Sequence, residues 1–297
     1  MKNCLVSIIV STKNEEKNIY NCLKSIKNQT YKNIEVVVVD NYSTDKTKRI
    51  CSEFKIKFYE KGNERSEQRN YGVYLSKGEF ILYLDADMII TPNLVYSCLQ
   101  KIKNEEVDGL YIKERIIGKN FFNEVRNFER EFYEGTKIDA IRFLKKKKFL
   151  QLKGFDKKII GQEDWDFSIR FCNKFRHSLL KEKIKVNKKF KNFYEKYDKL
   201  KKMEYECIIH NESNINLKEH IKKKIYYLKN INTYIDKNKK YSSIIKEQLS
   251  ISGRLRILFD NKNIKRIILN PIKFIFILIF KSYIFYKSKI YKINFFK

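Results

Sequence analysis

Three short apolar runs, "LVSIIVST" (5–12), "IEVVVVD" (34–40) and "EFILYLD" (79–85), constrain the fold more than anything else in the chain. The first two are rich in β-branched residues, and the second is apolar almost throughout, as strands covered on both faces are. The segments between them have helical spacing. In "KNEEKNIYNCLKSIKNQ", Ile19, Cys22, Leu23 and Ile26 recur at that spacing. "STDKTKRICSEF" opens with hydroxyl and acidic residues suited to N-capping, then "IKFYE" reads as a further strand and "ERSEQRNYGVYLSK" as a helix. Strands alternating with helices predict βαβ units. The expected fold class is therefore α/β, a mostly parallel, doubly wound sheet with helices on both faces.

Ligands of such sheets bind beyond the carboxyl ends of the strands. That rule gathers Thr12, Asn14 and Glu15 after the first strand, Asp40 and Asn41 after the second, and Asp85 and Asp87 after the fourth onto one rim. A buried anion is costly without a positive partner, so the pair in "LDADM" calls for one. Three chemistries compete for the rim. A dinucleotide-binding dehydrogenase needs G-x-G-x-x-G after the first strand, where this chain has "STKNEE", and no two of its nine glycines are spaced G-x-G. A phosphatase that uses D-x-D for covalent catalysis would carry Thr or Val two residues on, near the start of its domain; position 89 is Ile and three strands precede it. The third is a nucleotide-sugar enzyme whose D-x-D holds a divalent metal against a diphosphate. D-x-D alone also fits a solvated turn.

Composition narrows the partners. The 297 residues carry 64 basic and 35 acidic side chains, a formal charge of +29, which suits nucleic acid or an anionic membrane surface. The chain is also rich in Lys, Asn, Ile, Tyr and Phe and poor in Pro, Gly and Ala. Part of the lysine excess thus reads as compositional drift on solvated faces, and no nucleic-acid partner is expected. Cys4, Cys22, Cys51, Cys98, Cys172 and Cys207 lie far apart, without C-x-x-C pairs or His partners at metal-ligand spacing, and read as reduced, mostly buried thiols. The chain runs into its first strand without a signal-like segment, so the catalytic part is expected in the cytoplasm.

Five ordered motifs, "SIIVSTKNEE", "VVVVDNYSTDKT", "ERSEQRNYG", "EFILYLDADM" and "GFDKKIIGQEDWDFSIR", resemble those of the family 2 glycosyltransferases, from about residue 5 to about residue 213. The resemblance implies a GT-A fold over 1–215, with a nucleotide-sugar half over about 1–90 and an acceptor half over about 91–215. It implies that Asp40 recognises the nucleotide base, that the Thr12, Asn14 and Glu15 turn walls the same pocket, and that Arg69 lies near the nucleotide and its phosphates. Asp85 would lie towards ribose and metal, Asp87 would bind the metal, and Asp164, with Glu163 beside it, would be the catalytic base. It further implies inversion at the anomeric carbon, and UDP is the favoured nucleotide. The second-strand motif departs from the commoner Asp-Asp as Asp40-Asn41. The processive signature Q-x-x-R-W is absent, so one sugar per encounter is expected, passed to a hydroxyl of a glycan or lipid-linked acceptor in cell-surface glycan synthesis.

The chemistry suits these residues. Mn²⁺ or Mg²⁺ takes one or two carboxylates when phosphates complete its shell, and a carboxylate near the acceptor hydroxyl can take its proton. Arg69 reads equally as a helix-surface ion pair, Arg65 is a weaker candidate, and Asp166 reads as structural. His210, in "CIIHNES", is a candidate metal ligand, though a hydrogen-bonded structural histidine fits as well. His177 and His220 stand among lysines and are expected at the surface.

From 216 to 297 the pattern becomes helical, basic and apolar. In "NPIKFIFILIFKSYIFYKSKIYKINFFK" the uninterrupted apolar run, 274–280, is far shorter than the roughly 20 residues a spanning helix needs. On a helical projection Lys273, Lys281, Lys287 and Ser288 share one side. The expectation is peripheral contact with the cytoplasmic membrane face through 264–297, lysines towards the headgroups, with docking on the catalytic part or dimer pairing as the alternative. A non-catalytic relative or basic surface-binding protein is the reading from a different class. Sugar, linkage and oligomeric state are not legible.

Overall fold

The computed structural model describes residues 4–118, 120–184, 204–212 and 216–290. The side chain of Ser288 and residues 291–297, both within the expected membrane segment, lie outside them. The first part alternates as expected: β1 (Val6–Thr12), α1 (Ile19–Lys27), β2 (Ile34–Asp40), α2 (Thr47–Glu53), β3 (Lys57–Glu60), α3 (Arg65–Leu75) and β4 (Phe80–Asp85). There follow β5 (Met88–Ile90), α4 (Leu94–Glu105), β6 (Gly109–Tyr111), β7 (Glu114–Ile117), α5 (Phe121–Glu131), β8 (Ile141–Lys145), α6 (Lys146–Gln151), α7 (Glu163–Cys172), β9 (His177–Leu179) and β10 (Ile208–Asn211). The rest is helical: α8 (Leu217–Lys229), α9 (Ile231–Lys237), α10 (Ser242–Leu249), α11 (Ile251–Leu258), α12 (Asn261–Leu269) and α13 (Pro271–Ile290).

Among the described residues the main sheet has seven strands in the order β3-β2-β1-β4-β8-β6-β9. β3, β2, β1 and β4 run parallel, and β8 enters antiparallel to both β4 and β6. The chain steps from β1 outward to β2 and β3, then crosses back to place β4 on the other side of β1. That reversal opens a crevice at the carboxyl ends of β1 and β4, where such sheets bind ligands. Apolar residues of β1, β2 and β4 are buried on both faces, Ile8 and Val10 in one cluster and Ile9 in the other, which is why these strands read as continuous apolar runs. The apolar positions predicted for α1, Ile19, Cys22, Leu23 and Ile26, are all buried.

A second sheet, β5-β10-β7, sets the far wall of the crevice. β5 pairs antiparallel with β10 so that Met88 stands opposite His210. The turn carrying Asp87 is thereby locked beside that histidine, and the Asn211 amide donates to the Asp87 carbonyl at 2.9 Å.

The C-terminal helices pack against this body. α13 lies on α5, burying Phe274 and Ile277 with Phe128 and Phe132. Its lysines do not face outward as the projection led us to expect. Lys281 pairs with Glu129 at 2.6 Å and Lys273 with Glu124 at 3.4 Å, both on α5, while Ile272, Ile275 and Ile279 are exposed. An ammonium leaves water where an acid far away in sequence is waiting, and no projection of one helix contains that acid. His220 is likewise not at the surface: it is 4% exposed, with its ring against Phe122 and Phe280.

Candidate active site

α3 begins at Arg65 and places Arg65 and Arg69 one turn apart on the face turned to the crevice. Gln68 anchors that turn, its amide donating to the carbonyls of Thr12 and Val39, both at 2.8 Å. Arg69 is 0% exposed, and its fork is held by two carboxylates, Asp85 and Asp164, each at 2.8 Å. Tyr83 and Phe155 cover the guanidinium with ring centroids 4.9 and 5.4 Å away. Arg65 sits outside it, 2.8 Å from Glu163 and 3.5 Å from Asp85, with a third of its side chain exposed. The expectation for Arg69 therefore changes in one respect. It meets a phosphate only by releasing a carboxylate, whereas Arg65 already borders solvent.

Thus the end of β4 and the start of α7, distant in sequence, are joined through one buried guanidinium. The positive partner demanded by the acidic pair is found: arginines for Asp85, and His210 for Asp87, whose Nε2 is 2.8 Å from Asp87 Oδ2. Burial alone would raise the Asp85 carboxyl, but Arg69, Arg65 and Arg142 outweigh it and hold it well below the usual carboxylate range. Burial works against the His210 imidazolium too, yet Asp87, Glu212 and Glu114 raise it to about 8. Glu163 is pushed up by burial and by Asp164, against the pull of Arg65.

The residues expected to wall the nucleotide lie across β1. Asp40 is fully buried, and Ser43 donates to both its oxygens, from its amide at 2.6 Å and its hydroxyl at 2.5 Å. The Thr12 hydroxyl is buried without a partner among the described residues. Asn14, at φ 52°, accepts from the Thr44 amide at 2.9 Å, and Glu15 accepts from the Asn18 side chain at 2.7 Å. Burial raises the Glu15 carboxyl. Tyr42, in the same turn and 58% exposed, went unremarked in the sequence; an aromatic beside Asp40 is its only signal.

For a divalent cation the decisive atom is Asp87 Oδ1, buried with no hydrogen-bond partner among the described residues while Oδ2 is taken by His210. Among the described residues no set of three His, Cys, Asp or Glu side chains converges to hold an ion unaided. The donor set fits an ion that brings phosphate oxygens with it and does not fit a closed structural site. Asp166 is structural as read, paired with Arg170 at 2.6 Å.

The C-terminal helices complete the crevice, which the sequence did not reveal. His220, Lys224 and Tyr227 share one face of α8. The Tyr227 hydroxyl accepts from Arg65 at 3.1 Å, and the Tyr227 ring closes on Gly161, where an added Cβ would lie 2.3 Å away. A cavity of about 860 Å³ between β7, α5, α12 and α13 holds none of the residues expected to bind nucleotide or metal or to act as base, and is lined by charges such as Arg115 and Glu131.

Residues 7–178 match the sequence profile described as "Glycosyl transferase family 2". The chain belongs to that family. Among curated relatives, Glycosyltransferase GlyG of Streptococcus pneumoniae is 31% identical over 111 residues, 35% of this chain and 37% of GlyG. The GalNAc(5)-diNAcBac-PP-undecaprenol beta-1,3-glucosyltransferase of Campylobacter jejuni is 26% identical over 193 residues, 62% of this chain and 55% of that protein. The match thus spans between about a third and about half the length of these relatives. Among solved structures, S. aureus TarS 1-349 in complex with UDP-GlcNAc superimposes with a TM-score of 0.55 at 19% identity, covering 86% of this chain and 70% of that one. The mannosyltransferase PcManGT from Pyrobaculum calidifontis, in complex with GDP-Man and Mn2+, gives 0.52 at 18% identity, covering 79% and 65%. At these identities the likeness shows the fold, GT-A with added C-terminal helices.

Proposed function

We propose that this family 2 chain is an inverting glycosyltransferase that moves one sugar from a nucleoside diphosphate sugar, with UDP favoured, to a hydroxyl of a glycan or lipid-linked acceptor. The observation that carries the reading is the buried Arg69 fork, which holds Asp85 of the D-x-D turn and Asp164, the proposed base, on one guanidinium. Thr12, Asn14, Glu15 and Asp40 wall the nucleotide side, with Asp40 holding its turn through Ser43. Arg65 is the cation able to turn to a phosphate. Asp164, 22% exposed at its side chain, takes the acceptor proton, and Glu163 behind it is held by Arg65. Mn²⁺ or Mg²⁺ at Asp85 and Asp87, with His210 as a further candidate ligand, would stabilise the charge growing on the leaving diphosphate. In cell-surface glycan synthesis the enzyme would work at the cytoplasmic membrane face.

The test is a panel of nucleotide sugars with Mn²⁺ or Mg²⁺, read by thermal shift and by release of the nucleoside diphosphate. UDP-linked donors are expected to protect the fold only with metal. Protection by no nucleotide, together with salt-sensitive DNA binding, would overturn the enzyme reading.

Peripheral membrane contact is the second part of the proposal. Among the described residues no single helix is long and apolar enough to cross a bilayer. α12 and α13 instead meet at 109° and expose one apolar surface: Ile268 is 70% exposed, Leu269 67%, Ile272 72% and Ile279 65%. Exposed Lys262 and Lys265 flank it. This surface suits the interface of an anionic bilayer, isoleucines inward and lysines at the headgroups. Serine at Ile272, Ile275 and Ile279 together should abolish co-sedimentation with phosphatidylglycerol vesicles; undiminished binding would refute this part.

A further inference from the structure

Behind Trp165 the helices α5, α8, α11 and α13 bring together four cations, Arg126, Lys224, Arg254 and Lys281, and two carboxylates, Glu129 and Glu212. The carboxylates are already shared. Glu212 is 3.1 Å from Arg126, and Glu129 is 2.6 Å from Lys281 and 3.6 Å from Arg126. Arg254 has no carboxylate partner among the described residues; it stacks on Trp165 and Tyr133, with centroids 5.2 and 5.4 Å away, and donates to the Gln248 carbonyl at 2.5 Å. Lys224 makes no hydrogen bond and no contact ion pair among them, and Glu129 is the carboxylate near enough to attract it.

The cluster adjoins the candidate active site at two places. Trp165 follows Asp164 directly, and Glu212 lies 3.9 Å from His210, which holds Asp87. Lys224 stands between, one turn from the Tyr227 that touches Arg65. Partly buried cations in excess over their acids are unstable unless an anion joins them. Burial first, then Arg126, Lys281 and Arg254, lower the Lys224 ammonium to about 7 against the pull of Glu129, and a bound anion would reverse the shift.

We propose that this cation cluster binds a phosphate or diphosphate group of the acceptor, with Lys224 and Arg254 as its chief ligands and Arg126 and Lys281 beside them. The proposal deepens the transferase reading, since it takes Asp164 as the base that faces the acceptor. The donor diphosphate belongs beside Asp85, Asp87 and Arg65, so the two anions occupy different places. The phosphate can come from a lipid-linked sugar, whose chain would leave towards the apolar surface of α12 and α13, or from a soluble phosphorylated glycan.

The experiment holds the full-length protein saturated with UDP and Mg²⁺ and titrates it calorimetrically with inorganic phosphate, geranyl phosphate and geraniol. Both phosphates are expected to bind alongside UDP and geraniol is not. Lys224→Gln and Arg254→Gln should each weaken phosphate binding roughly tenfold, as the loss of one charged hydrogen bond does, while UDP binding, which also checks folding, persists. Geranyl phosphate binding more tightly than phosphate identifies the lipid source, and equal binding identifies the soluble one. Phosphate that displaces UDP, geraniol that binds as well as its phosphate, or variants indistinguishable from the parent would each overturn the proposal. Failure of the parent to bind UDP would sink the donor reading instead, and the phosphate arms, run without nucleotide, would still judge the cation cluster.

Discussion

The two sides of the crevice handle charge differently. On the side of β4 and α7 each acid is met: Asp85 by two arginines, Asp164 by Arg69 and Asp87 by His210. On the side closed by α8, α11 and α13 the cations outnumber the acids, and among the described residues Lys224 and Arg254 have no carboxylate in contact. A balanced cluster holds its shape without a ligand. An unbalanced one is poised for a counterion. The β4–α7 side is thus preorganised by the protein's own pairs, and the far side, as proposed above, is completed by what binds there.

The sharpest way to break this comparison is at the shared wall. Asp164→Asn should lower turnover of the best donor by about 10²- to 10⁴-fold, the usual worth of a general base, with nucleotide affinity retained. Steady-state release of the diphosphate measures it. A loss confined to KM would make Asp164 a positioning group. Arg69→Met tests the balanced side directly. It leaves Asp85 and Asp164 facing each other without their cation and should cost about 3–5 kcal/mol of stability by chemical denaturation. An unchanged midpoint would show that Arg65 and Arg142 suffice.

The same contrast explains what the sequence disclosed. Strand runs such as "IEVVVVD" carry their own period, and a residue at a strand end is placed by topology alone, so Asp40, Asp85 and Asp87 were legible. The joining of "EDWD" to the rim was readable only through the family motifs. Arg65 was undervalued because an arginine in a polar helical turn looks the same whether it faces water or Glu163. His220 and Lys224 sit in "HIKKKIYYLK", where lysine on every side hides which face is turned inward; α5, far away in sequence, decides it. For α13 the lysine stripe was seen and its partner was not.

Gly161 probes the seam between the two sides. At φ +85° it favours glycine, and its missing Cβ admits the Tyr227 ring. Gly161→Ala should cost about 1–3 kcal/mol and push α8 away. Hydrogen exchange should rise in α8 and leave β1 and β4 unchanged; if exchange in α8 stays as slow as before, the two sides are not joined there.

The smallest effect has the opposite sign and tests the unbalanced side alone. The folded value of Lys224, about 7, lies below its ordinary 10.5, so between those limits the unfolded chain keeps a proton that the folded chain releases. Stability contributed at this site therefore rises with pH through that window, and the penalty is complete below it. Lys224→Met removes the penalty and should raise the melting temperature by a few degrees near pH 6, with the gain shrinking towards pH 10. Inorganic phosphate should erase the gain by stabilising the parent and not the variant. A variant less stable than the parent at pH 6 without phosphate would mean that Lys224 is already satisfied, and the excess of positive charge would then not be a waiting site.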